Sequence, residues 1–120
     1  MEAGLAAVIR GWHAHVYFDD GSAGQAAVVV QAAADALPVQ KGRLHRQPVG
    51  PHPRGSCQLA FAPTDFSQVI HWLVLHRDGL TVFVHPETGD ELVDHRDRAL
   101  WIGPSESLNL AMFGGRDAGH

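Results

Sequence analysis

The segment GWHAHVYFDD, residues 11–20, decides how the fold is read. From Trp12 onward Trp12, Ala14 and Val16 alternate with His13, His15 and Tyr17. That period of two belongs to a β-strand, whose successive side chains project to opposite faces. One face is apolar; the other aligns two imidazoles and a phenol. DDGS (19–22) then supplies turn residues, and Ser22 with Gln25 three positions later is a capping-box pattern. It opens an alanine-rich helix running to Leu37 and ended by Pro38, with Ala26, Val29, Val30, Ala33 and Leu37 as its buried stripe.

Working outward, RLHRQPV (43–49) reads as an edge strand, because Pro48 lacks the N–H that a central strand needs. The loop GPHPRG leads to a third strand, SCQLAFA (56–62). PTDFSQVIHWLVLHRDG follows as a second helix, capped near Thr64 or Asp65 and stopped by Gly79, with Phe66, Val69, Ile70 and Leu73 facing the core. LTVFVHP (80–86) is β-branched and aromatic, a fourth strand stopped by Pro86. Beyond it lie a short helical or turn segment and an apolar patch at 99–102. The order of elements predicts an α+β, ferredoxin-like β-α-β-β-α-β fold, with two helices on one face of a four-stranded antiparallel sheet. Residues 1–113 are expected to form one domain, and 114–120 a disordered tail. The helices would bury the Ala14 and Val16 face and leave the other open to a ligand or a second subunit.

Composition narrows the function classes. A chain of 120 residues, 45% hydrophobic and 18% charged, supports one core. The net charge of −4 offers no basic field for a phosphate backbone, so nucleic acid is not an expected partner. Cys57 is the single cysteine and reads as a small buried hydrophobe. The start, MEAGLAAVIRG, lacks the pattern of a signal peptide, and no apolar run approaches the roughly 20 residues that span a bilayer, so a cytoplasmic location and no membrane are expected.

The unusual feature is nine histidines. His71 and His76 lie off the second helix's apolar stripe and read as solvated; His120 is in the tail. His13, His15, His52 and His85 occupy strand or loop positions that can converge on the open sheet face, with His95 just beyond. Neutral imidazole is the commonest side-chain ligand for zinc, iron and related metals. His52 sits between Pro51 and Pro53, in a loop that is rigid and loses little entropy on ordering.

HAHVYFD (13–19), PVGPHP (48–53), GLTVFVHPETGDELVDH (79–95) and RALWIG (98–103) together resemble the DOPA 4,5-dioxygenase family, in the same order and with similar gaps. The resemblance implies a ferredoxin-like fold and a non-haem iron(II) extradiol dioxygenase that opens a catechol ring, such as that of L-DOPA, with O2. On that reading His15, His52 and His85 are the core of the metal site, with His13 either a fourth ligand or an acid-base group beside it, and zinc or nickel able to occupy the site in a purified sample. Glu87, Asp90, Glu91 and Asp94 are candidates for a completing carboxylate. His13, His95 and Tyr17 are candidates for acid-base and hydrogen-bonding roles, since a group titrating near neutrality suits catechol deprotonation. Arg43, Arg46 and Arg54 flank the proline loop and could grip a substrate carboxylate bidentately. A homodimer is expected from the apolar patch around Trp101 and Ile102. Two other classes stand beside this one: a dimeric metal- or small-ligand-binding protein without oxygenase activity, and a metal-dependent hydrolase using a zinc-bound water.

Overall fold

The computed structural model describes residues 7–114. The elements are β1 (Gly11–Phe18), α1 (Ala23–Ala36), β2 (Gln40–His45), β3 (Gly55–Phe61), α2 (Phe66–His76), β4 (Val82–Glu87), α3 (Glu91–Arg96) and β5 (Leu100–Ile102). The five strands form one antiparallel sheet in the order β2-β3-β1-β4-β5. The architecture is α+β. The expected count of four strands and two helices is corrected to five and three: the patch at 99–102 becomes an edge strand on β4, and the short helical segment becomes α3.

β1 lies in the middle because its alternation serves two cores. Ala14, Val16 and Phe18 pack beneath α1 and α2, with Val29, Val30, Ala33, Val69 and Leu73 of the helices, Leu37 just after α1, and Cys57, Leu59 and Phe61 of β3. The helix stripes are those read from the sequence, because apolar spacing alone sets which side of a helix meets the sheet. Each valine, leucine or phenylalanine among them taken out of water contributes roughly 1.5–3 kcal/mol, the alanines less. Gly55 is required here: a Cβ at this position would stand 2.7 Å from a ring carbon of Phe18.

Several local expectations change. The capping box between Ser22 and Gln25 does not form; Ser22 Oγ accepts from the Asp19 N–H (2.9 Å), and the Gln25 amide reaches the Asp78 carbonyl. β2 starts three residues earlier than read and ends at His45, leaving Pro48 in the loop. Pro86 does not stop β4, which runs to Glu87. Tyr17 N–H donates to the Thr81 carbonyl, so bonding alternates such that the Trp12–Pro86 pair exchanges no hydrogen bonds and proline's missing N–H costs nothing there.

The second sheet face is covered over part of its area and opens into a cavity at His13, His15 and His85. Tyr17 and Phe83 on it are fully buried. The loop 46–54, α3, Trp101 and the 3₁₀ turn Leu110–Phe113 cover them. Two ties close this cover: Asn109 N–H donates to the Pro51 carbonyl (2.9 Å), and Arg54 forks onto Glu106 at 3.0 and 2.7 Å.

Candidate metal centre

The antiparallel register of β1 and β4 sets His13 directly opposite His85 and His15 opposite Phe83. All four side chains project from the second face, and His15 reaches diagonally to His85, Nε2 to Nε2, at 3.1 Å. His13, His15 and His85 each offer a ring nitrogen within 4.8 Å of the others. Two nitrogens that each lie about 2.1 Å from a shared ion at a near-right angle would be separated by about 3 Å, close to what is observed.

Burial favours the neutral rings that ligation needs. It holds His85 down at about 3 and His52 at about 4, pulls His15 well below the usual imidazole range, with its neighbouring histidines adding to the effect, and lowers His13. His85 Nδ1 donates to the Pro86 carbonyl (3.0 Å), which leaves its Nε2 as the free lone pair facing His15. The Glu87 carboxylate lies 3.4 Å from His85 Nδ1 and 3.7 Å from His13 Nδ1; burial raises its pKa. Such a set of nitrogens with a nearby carboxylate suits iron(II) and zinc and offers no soft thiolate, because Cys57 lies on the opposite, helix-covered face. The residues fit the iron centre that the family resemblance implies.

Around the three histidines is a cavity of about 220 Å³, also lined by Pro51, His52, Gln58, Glu87, Glu91, His95, Met112 and Phe113. Taking about 30 Å³ per water, it has room for a small aromatic ring. His52 packs its ring 4.1 Å from that of His15, and Tyr17 hydroxyl lies 2.7 Å from its Nδ1. Tyr17 itself is held far above the usual phenol range by burial and stays protonated. His95 stacks between His85 (3.9 Å) and Phe113 (4.5 Å), and its Nδ1 donates to the Glu91 carbonyl at 2.7 Å.

The arginines separate. Arg43 lines a neighbouring hollow of about 170 Å³ that shares His15, His52 and Gln58 with the central cavity. Arg46 and Arg54 line a different hollow beside Asp19 and Asp20, and the Arg54 guanidinium is spent on Glu106 and Asp19. Of the acidic candidates, Asp94 is buried and taken up by Thr88 N–H and hydroxyl (2.8 Å each) and by Arg98 (3.1 Å). Asp90 caps α3 through Val93 N–H. Glu87 and Glu91 are the carboxylates that border the cavity. His71 and His76 are exposed, as read. Sequence reasoning missed Gln58, Met112 and Phe113, whose only signal is that Gln58 shares the parity of the outer face of β3.

Against this geometry, the sequence profile of the Dopa 4,5-dioxygenase family matches residues 12–112. The chain belongs to the Dopa 4,5-dioxygenase family. It is 38% identical over 92% of its length to a DOPA 4,5-dioxygenase of Amanita muscaria, of which it spans 53%, and 37% identical over 58% of its length to an uncharacterized 21.2 kDa protein of Botryotinia fuckeliana, of which it spans 43%. The chain thus covers about half the length of these curated relatives of the Dopa 4,5-dioxygenase family. A crystal structure of a candidate dioxygenase from Nostoc punctiforme superposes with a TM-score of 0.84 at 48% identity, covering 88% of this chain and 90% of that one. Family and structural neighbour together make this chain a dioxygenase relative with a histidine cluster able to hold a metal ion. Among the described residues no helix is long and apolar enough to cross a membrane.

Proposed function

We propose that this protein is an extradiol dioxygenase that opens the ring of a small catechol such as L-DOPA with O2, using iron(II) held by His13, His15 and His85. The observation that carries this reading is the convergence of the three histidines at 4.8 Å or less on the wall of a cavity the size of a small ring. When bound, iron(II) would supply open positions for catecholate and dioxygen and the electron transfer between them. The chain's own residues do the rest. Pro51, Met112 and Phe113 line the cavity with apolar surface. His95, stacked on His85, receives a catechol proton; Tyr17 acts through His52 rather than on the substrate. Of the three arginines, we assign Arg43 to a substrate carboxylate; a hollow that it shares with His15 and His52 supports this. We read the scaffold as a ferredoxin-like β-α-β-β-α-β unit extended by α3 and β5. The reading also includes a cytoplasmic homodimer, with Leu100 exposed on the short edge strand β5.

The test is oxygen uptake by protein loaded anaerobically with iron(II), on adding L-DOPA, caffeic acid or catechol. Uptake with a yellow ring-opened product, lost in His15→Ala and His85→Ala, is the expected result. A protein that holds iron and consumes no oxygen would instead be a metal- or small-ligand-binding protein.

A further inference from the structure

Tyr17 is fully buried, and among the described residues the hydroxyl's one hydrogen-bond partner is His52 Nδ1, at 2.7 Å. A phenol has a single proton to give. Were Tyr17 the acceptor, that proton would be buried with nothing to receive it, so Tyr17 donates and His52 Nδ1 accepts. In a neutral ring this puts the proton on His52 Nε2. At His95 the logic reverses. Its Nδ1 lies 2.7 Å from the Glu91 carbonyl, which can only accept, so Nδ1 carries a proton and, in a neutral ring, Nε2 is the lone pair. Neither Nε2 has a hydrogen-bond partner among the described residues, yet no buried side-chain nitrogen there is left unsatisfied. Both atoms therefore open to solvent-accessible space, and both residues line the same 220 Å³ cavity.

We propose that Tyr17 and the Glu91 carbonyl lock His52 and His95 in opposite tautomers, so that the cavity meets its ligand with an N–H donor from His52 and a nitrogen acceptor from His95. Tyr17 is thus a positioning residue. The ligand class that answers both groups carries two adjacent oxygens, one accepting from His52 and one bearing a hydroxyl that donates to His95. A catechol does so; 1,2-dimethoxybenzene, which has no hydroxyl, cannot. This match rests on the catechol reading of the site, whereas the tautomers do not.

The test is long-range proton–nitrogen NMR of the full chain labelled with ¹⁵N-histidine, with zinc(II) added as a diamagnetic ion. His52 is expected as the Nε2–H tautomer and His95 as Nδ1–H, and Tyr17→Phe should shift His52 toward Nδ1–H while His95 keeps its pattern. A wild-type His52 protonated on Nδ1, a His52 whose Nε2 has lost its proton to zinc, or a Tyr17→Phe spectrum unchanged at His52 would each overturn the proposal. The wild-type reading stands even if the variant fails to fold. In the same spectra catechol should perturb both histidines at a concentration about tenfold lower than 1,2-dimethoxybenzene; equal binding of the two overturns the ligand match. Absence of oxygen uptake by iron-loaded protein would defeat the dioxygenase reading and leave these spectra as they are.

Discussion

At the scale of the residue, the histidines differ by what holds each one. His85 is fixed by the Pro86 carbonyl and faces His15 at 3.1 Å, so these two rings form the tightest part of the cluster. Replacing either with alanine should weaken zinc or iron(II) binding by more than about 100-fold, beyond what loss of a supporting contact produces, as measured by metal titration. The buried rings also tie stability to pH. Burial lowers His85 to about 3 and His52 to about 4 in the folded chain, against 6.5 for the free imidazole. Below pH 6.5 the unfolded chain therefore binds protons that the folded chain refuses. The contribution of these groups is complete above that pH and is lost progressively on acidification toward 3. Chelator-treated protein should lose about 1–2 kcal/mol per buried histidine by pH 5, seen as a lower urea midpoint. A midpoint flat between pH 7.5 and 5 would contradict neutral burial. The H-x-H spacing and the parity of His85 made this cluster visible in the sequence, but that His13 rather than His52 completes it, with His52 attached to Tyr17, needed the pairing of strands.

At the scale of the element, α3 and the turn before it carry His95 into place. Gly89 has φ +101°, a left-handed conformation costly for other residues, and lets the chain turn back from β4. Asp94 then gathers Thr88 and Arg98 around one buried carboxylate. Arg98→Met leaves that carboxylate short of its cation and should destabilise the protein by about 1–3 kcal/mol, the partial exposure of the guanidinium holding the loss within this range. Amide hydrogen exchange across 91–96 should accelerate more than in α1. On the opposite face, Gly55→Ala forces a Cβ against the Phe18 ring and should cost about 1–3 kcal/mol of unfolding free energy in denaturant titration. Elements with strong local periodicity were legible: β1, α1 and α2 lie within a few residues of their predicted spans. β2 lies earlier than its apolar pattern suggests, because the pairing that defines the strand comes from Gln40, Lys41, Leu44 and His45 against β3 and Pro48 falls outside it.

At the scale of the molecule, the sheet has two covered faces of unlike chemistry. The helix side is aliphatic; the other side is a layer of imidazole and aromatic rings roofed by the segments 46–54 and 104–113. Arg54–Glu106 and Asn109–Pro51 hold the two roof segments to each other. Glu106→Ala should loosen that roof, raising hydrogen exchange at 49–54 and lowering stability by about 1–3 kcal/mol, while metal affinity falls less than in His85→Ala. Trp101 is half-buried within the chain against Phe83 (4.7 Å), so the patch that suggests a dimer is partly used internally. Sedimentation at twice the mass of the chain would support the homodimer. By itself the sequence determined the alternation of β1, the stripes of the two long helices and the types of residue available for chemistry, because these follow from local backbone periods. Only the tertiary structure decided which histidines meet, since His15 and His85 are 70 positions apart and join through strand register. It also decided how far the second face is covered, because that cover depends on long-range contacts of loop and C-terminal segments with no period of their own to read.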